Sequence, residues 1–339
     1  MDLKTTLLIL LAGYLFGSIL QRANLNKYNT ISGMATLEDL TVAKAIAIAV
    51  GLGAILFAAS VGLGWTTFHV KPLLLTGVIA GGLIFGAGMA ILGYCPGTMA
   101  ISLGEGSLDA LAGIVGGLAA GLVYDLAGDA LAPFMGPDLG KPALSSYTGH
   151  GLFFYLASAA AGLFFMALAI WLNRRERKPG FRWLYAGVLL ALLANIVFMT
   201  KVFNRPVGAS TAYPYLAGVL AGLGNEGYFA TTVVSGKWEL LFLGGAMLAG
   251  LSLSLYHRTF RIRLIHDRWR NYKGSSALRR IVWATAGGFL VIFGARMAGG
   301  CTSGHVISGG MQLAFSSLIF GAFVFAGLLL TGKLFYRKS

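Results

Sequence analysis

Charge is what this chain has least of, and the shortage decides its solvent. Only 11% of its 339 residues are charged, against 57% hydrophobic, and the mean hydropathy is +0.76. A soluble globular domain carries about 25% charged residues, so composition excludes a soluble enzyme. The chain reads as an all-α polytopic membrane protein. Cysteine is scarce too, with Cys95 and Cys301 the only two. Two thiols without His or carboxylate at ligand spacing do not complete a tetrahedral site, so neither metal nor other cofactor is expected. No G-x-x-x-x-G-K-[ST] loop is present, which argues against ATP hydrolysis. Nucleic-acid motifs are also lacking, and no nucleic-acid partner is expected despite a net charge of +14.

What the chain has in excess is long apolar runs, each near the ~20 residues a helix needs to cross a bilayer. Nine are legible: Leu3–Leu20, Thr41–Gly64, Pro72–Tyr94, Leu108–Ala132, Leu152–Leu172, Trp183–Phe203, Trp238–Tyr256, Ile281–Met297 and Leu313–Phe335. The first lacks a small-x-small cleavage site before Gln21 and is expected to be a retained helix. Positive charge clusters after the fifth run (Arg174, Arg175, Arg177, Lys178, Arg182), the seventh (Arg258 to Arg280) and the ninth (Lys333, Arg337, Lys338). With nine runs all three clusters fall on one side. The positive-inside rule makes that side cytoplasmic, the N-terminus external and the C-terminus cytoplasmic, with the basic loops attracting anionic membrane lipid.

The two cysteines sit in one motif written twice: FGAGMAILGYCPG from Phe85 and FGARMAGGCTSG from Phe293. The third run enters Cys95 from one side and the eighth enters Cys301 from the other. The expected architecture is therefore two inverted-topology repeats, residues 1–146 and 181–339, joined by a linking span and basic loop at 147–180. Apolar half-length pieces around Asn26, Cys95, Tyr213 and Cys301 read as re-entrant half-helices, the usual trace of a transport site near the midplane.

Each cysteine turn has the composition of a helix start. Pro96, Gly97 and Thr98 follow Cys95; Thr302, Ser303 and Gly304 follow Cys301. Proline suits the first helical turn and hydroxyls suit a cap. Free N–H groups and the positive dipole end would make each turn an anion site. A disulfide would lock halves that must pass a substrate between them, so free thiols are the expectation. Arg296 either draws anions toward Cys301 or snorkels to the interface; Gln21, Arg22 and Arg205 stand at run ends beside irregular segments and invite similar readings. His305 is a candidate donor or a structural histidine, and Asp125 with Asp129 a candidate proton relay or a solvated end.

These cysteine turns, with GYLFGSILQR at Gly13 to Arg22 and NRPVGAS at Asn204 to Ser210, resemble the YeeE/YedE family of bacterial sulfur-transport membrane proteins over essentially the whole chain. The resemblance implies location in the bacterial inner membrane, uptake of thiosulfate or a related small sulfur anion, and relay past Cys95 and Cys301. It also implies, for some members, a TusA-type sulfur carrier as partner. Family members commonly carry a third cysteine just after the first span; here Asn26 stands at that place, an amide that donates hydrogen bonds but forms no persulfide. A transporter rather than an enzyme is expected. The alternatives are a sulfur transferase using Cys95, a carrier of another sulfur or selenium species, and a docking protein for a sulfur carrier.

Overall fold

The computed structural model describes residues 1–176, 180–223 and 227–337, apart from the Asp129 side chain. The first part of the chain folds as α1 (Leu3–Arg22), α2 (Tyr28–Met34), α3 (Thr41–Gly62), α4 (Leu75–Leu92), α5 (Pro96–Gly104) and α6 (Leu108–Leu126). Two short turns, α7 (Gly128–Leu131) and α8 (Leu144–Thr148), lead to α9 (Leu152–Arg175). The remainder is α10 (Arg182–Phe198), α11 (Ala212–Leu220), α12 (Gly227–Tyr256), α13 (Asp267–Lys273), α14 (Ala277–Met297), a π-helical segment Thr302–Gly309, and α15 (Phe315–Phe335). Among the described residues eight helical stretches are long and apolar enough to span a membrane, and α10, with 17 residues, is a shorter apolar helix. Seventeen residues lie at the short end of the spanning range. Apolar side chains such as Leu3, Leu152, Phe153 and Val234 stand exposed on the outside of these helices, as a lipid-facing surface requires.

All nine apolar runs are helices, with altered ends. α12 begins at Gly227, eleven residues before the apolar run at Trp238. The polar residues that hid this start are accommodated: Thr231 and Thr232 donate to carbonyls three residues back, and Phe229 is buried. α6 and α10 stop at Leu126 and Phe198, short of their runs. The four expected half-helices are α2, α5, α11 and the π-helical segment.

Helix ends sort onto two faces. The basic face carries Arg22, Arg175 and the loop from Arg258 to Arg280; the opposite face carries Leu3, Gly62 and Leu126. Isolated bridges tie Thr66 to Met199, Leu74 to Asp138 and Ala143 to Ala314 on the opposite face, and Ser107 to Arg263 on the basic one. Of the basic clusters, residues 177, 178 and 338 lie outside the described residues. Packing is reciprocal between the two ends of the sequence: α1 lies on α12 while α10 lies on α3, and α15 lies on α4 while α14 lies on α6.

At the centre α4 crosses α14 through glycine. A Cβ on Gly81 would stand 2.6 Å from the Gly294 carbonyl oxygen, and one on Gly294 2.5 Å from that of Gly81. Without side chains the backbones touch, the usual device for close approach in lipid. Gly81→Val is expected to cost about 1–3 kcal/mol of overpacking, seen as loss of monodisperse protein in size-exclusion chromatography. Gly304→Ala, whose new methyl would find its nearest neighbours at 3.8 Å, should elute as the parent does.

Candidate functional site

α4 delivers the first thiol. Gly93 turns the chain at φ +79, and any side chain there would strike the Tyr28 ring at 2.2 Å. The carbonyls left free at the end of a helix need partners, and distant segments supply them. Tyr336 Oη donates to Ala90 O at 2.9 Å; Arg280 donates to Ile91 O at 3.3 Å and Leu92 O at 2.7 Å. Arg280 is paired with Asp109 at 2.5 Å, both side chains fully buried. Asp109 also accepts from Tyr94, the residue before Cys95, and lies 3.2 Å from His266 Nε2.

Cys95 is the N-cap of α5, with Pro96 at the first helical position. Its N–H donates to Thr98 Oγ1 at 2.8 Å, and that hydroxyl lies 3.4 Å from Sγ. Tyr213 of α11 donates to the Pro96 carbonyl at 2.9 Å, so a second half-helix is pinned to this turn. A Cβ on Gly97 would meet the Phe16 ring at 3.2 Å.

The second thiol follows α14 and Gly299, which has φ +75. Cys301 Sγ lies 3.2 Å from Ser303 Oγ at the start of the π-helical segment, a wide helical form found often at functional sites. His305 Nε2 donates to Ala298 O at 2.6 Å, and Nδ1 accepts from Ser317 Oγ at 3.0 Å. The carbonyl assigns this tautomer. Both ring nitrogens are thus committed within the protein, and His305 clamps the Cys301 turn.

The two turns share a cavity of about 60 Å³. Cys95, Gly97, Thr98, Thr302 and Ser303 line one wall. Leu20, Leu25, Ile31, Val42 and Met89 supply an apolar one. Cys301 is 1% exposed and meets the cavity through Ser303. Both thiols are free. At ~10–15 Å³ per water-sized probe the space suits an inorganic ion of a few atoms and excludes a nucleotide.

Cations gather on the opposite-face side. Arg296 is 6% exposed, donating to Ser210 Oγ at 2.5 Å, Tyr228 Oη at 3.1 Å and Thr211 Oγ1 at 3.3 Å. It is folded inward and does not snorkel. Its side-chain partners are neutral hydroxyls, and its Nε has none among the described residues. Arg205 stacks on Trp238 at 4.2 Å and lies 3.8 Å from Glu239, which caps α11 by accepting from Thr211 N at 2.6 Å. Lys71 donates to the Gly299 carbonyl, and a side chain on Gly300 would stand 2.6 Å from its Nζ. Among the described residues these three cations therefore gather near the Glu239 carboxylate. Lys71 also lines an open bowl of about 640 Å³ with Lys141, His69 and His150.

Other candidates lie apart. Arg22 is exposed on the basic face. Gln21 is buried and donates to Gly250 O at 3.2 Å. Gly304 faces Val207 O and Lys71. Asn26 is fully buried, but its amide is turned to Ser102 at 3.3 Å and Glu105 at 3.0 Å; the cavity wall takes its neighbour Leu25. Asp125 approaches Gly227, and the Asp129 side chain lies outside the described ones. A hollow of about 930 Å³, lined by Glu38, Asp39, Arg175, Glu176 and Arg182, touches neither cysteine turn.

Lys71, Glu239, Ser210 and Thr211 escaped the sequence reading. One signal for Lys71 was available: it is the single Lys or Arg between residues 45 and 140.

Comparison with known proteins finds a transport protein and a transport family. The thiosulfate transporter TsuA of Spirochaeta thermophila is 27% identical over 346 aligned residues, covering 97% of this chain and 98% of that protein. The family model described as sulphur transport matches residues 22–330. The chain is a multi-pass membrane protein that belongs to the sulphur transport family.

Proposed function

We propose that this protein carries thiosulfate inward across the bacterial inner membrane, with the basic face cytoplasmic. The observation that carries the reading is the shared cavity: one thiol, three hydroxyl-bearing side chains and a helix N-terminus meet in a space fit for a small anion. Among the described residues Lys71, Arg205 and Arg296 gather near Glu239 on the entry side, a group of cations that favours an anion. Oxygens would be met by Thr98, Thr302, Ser303 and the N–H groups after Cys95. The polarisable terminal sulfur would be met by Cys95, with Cys301 acting through Ser303. Gly97 and Gly304 border this route, and Asn26 stands beyond Cys95. Gln21, Arg22 and His305 serve as supports. The two halves, 1–146 and 181–339 about the linker 147–180, form inverted repeats, which the reciprocal helix packing supports.

Carriage rather than sulfur transfer is favoured by the thiols' surroundings. Each has a hydroxyl neighbour, at 3.4 Å for Cys95 and 3.2 Å for Cys301, and the nearby imidazole of His305 is committed elsewhere. Such thiols hydrogen-bond well but lack a base to make a thiolate. A TusA-type carrier would receive the anion at the basic face. Proteoliposomes should take up radiolabelled thiosulfate at least tenfold faster than sulfate or selenite. Equal rates for sulfate, or no thiosulfate uptake, would reject the substrate.

A further inference from the structure

One buried polar cluster is left over from the cavity, at the basic-face end of α5. Cys95 caps α5, and Thr98, Ser102 and Glu105 follow at spacings of three, four and three residues, which places them along one side of the helix. The row descends from the cavity wall to the basic face, about 10 Å from Thr98 to Glu105 at 1.5 Å per residue. The turn between α1 and α2 lies against it. Asn26 Nδ2 donates to Ser102 Oγ at 3.3 Å and Glu105 Oε2 at 3.0 Å, and Lys27 Nζ donates to the same Oε2 at 2.6 Å. Ser102 Oγ in turn donates to the Asn26 carbonyl at 2.8 Å.

An amide and an ammonium converge on Glu105 Oε2, with the Ser102 hydroxyl beside the amide, and such donors recognise a small oxyanion. Here a carboxylate of the protein occupies the place. The fit is incomplete: Glu105 is 8% exposed and Asn26 0%, yet Glu105 Oε1 and Asn26 Oδ1 have no partner among the described residues. A charged group desolvated with half its acceptors unmet is held loosely for its burial.

We infer that Asn26, Lys27 and Ser102 form an exit-side site for the transported oxyanion, and that Glu105 fills it as a resident counter-anion that keeps the exit shut. The inference rests on the transport reading above. Leu25 is the link: it belongs to the apolar wall of the cavity, and its neighbours Asn26 and Lys27 are the residues the carboxylate grips. While Glu105 holds them, Leu25 stays beneath the cysteine turns. An arriving dianion competes for the same donors, the carboxylate swings toward the solvent of the basic face, and the turn carrying Leu25 is released. No bond to the anion forms or breaks.

The test reads access to Cys95 directly. In a Cys301→Ser background Cys95 is the single thiol. Vesicles with the basic face outward, checked by protease cleavage of the Arg258 to Arg280 loop, are treated with the anionic reagent 2-sulfonatoethyl methanethiosulfonate. Glu105→Gln is expected to raise the labelling rate of Cys95 at least tenfold, and added thiosulfate to slow it. With the latch already opened by Glu105→Gln, adding Lys27→Met, at a partly exposed position, should slow labelling by the anionic reagent and leave labelling by the neutral methyl methanethiosulfonate unaffected. Unchanged or slower labelling in Glu105→Gln, or equal effects of Lys27→Met on both reagents, would overturn the proposal. Thiosulfate flux through the unmodified chain is measured in parallel. If it is nil while Glu105→Gln still opens Cys95, the substrate is wrong and the latch stands.

Discussion

Cys95→Ala is expected to cut thiosulfate uptake by tenfold to a hundredfold at equal protein level. The thiol lies in the cavity wall beside the Thr98 hydroxyl. A methyl group removes the soft contact for the anion's terminal sulfur. A buried polar partner left unmet costs about 1–3 kcal/mol, and each 1.4 kcal/mol is tenfold in a rate or affinity. Cys301→Ala should fall in the same range by a different route, because its Sγ orients the Ser303 hydroxyl at 3.2 Å. Serine at either position separates two mechanisms. Partial uptake in Cys95→Ser means hydrogen bonding suffices; complete loss means sulfur is passed covalently. Parental uptake in the double alanine variant would remove both residues from the path.

The second large effect is on stability. Arg280→Leu should destabilise by about 3–5 kcal/mol, because removing one partner of a buried ion pair strands the other charge. Here it would strand Asp109 and uncap the carbonyls of Ile91 and Leu92 together. Thermal unfolding in detergent, followed by tryptophan fluorescence, is the measurement. Arg280→Leu with Asp109→Leu should recover part of the loss, since the stranded carboxylate is gone, but not all of it, since the helix end stays uncapped. Full recovery would show the caps to be energetically idle.

The spans were legible because a bilayer imposes a length that apolar runs display directly. α12 shows the limit: Lys237 and the threonines before it read as loop, yet they continue a helix whose hydroxyls satisfy themselves. The cysteine turns were legible because they occur twice in nearly the same words. Their supports were not. Arg280 stands next to Arg279 in a basic loop and reads as topology, while the fold takes it inward to Asp109, 171 residues earlier. Lys71 and Glu239 act by where they meet other segments, and a sequence gives no distance between residue 71 and residue 299. His305 stayed open between donor and structural residue because its partners, Ala298 and Ser317, are a carbonyl and a small hydroxyl that carry no motif.

The glycine crossing of α4 and α14 bears on how fast and by what motion the anion moves. Where two backbones rest on each other with nothing between them, a rocking of one half against the other would open a gap that no side chain fills. Motion is therefore confined to the short pieces: the turn of Leu25, the ends of α5 and α11, and the π-helical segment. Such a molecule behaves as a stiff sleeve with moving latches. Its turnover should depend weakly on bilayer thickness, and cross-linking α4 to α14 through paired cysteines placed beside the glycine crossing should leave uptake running.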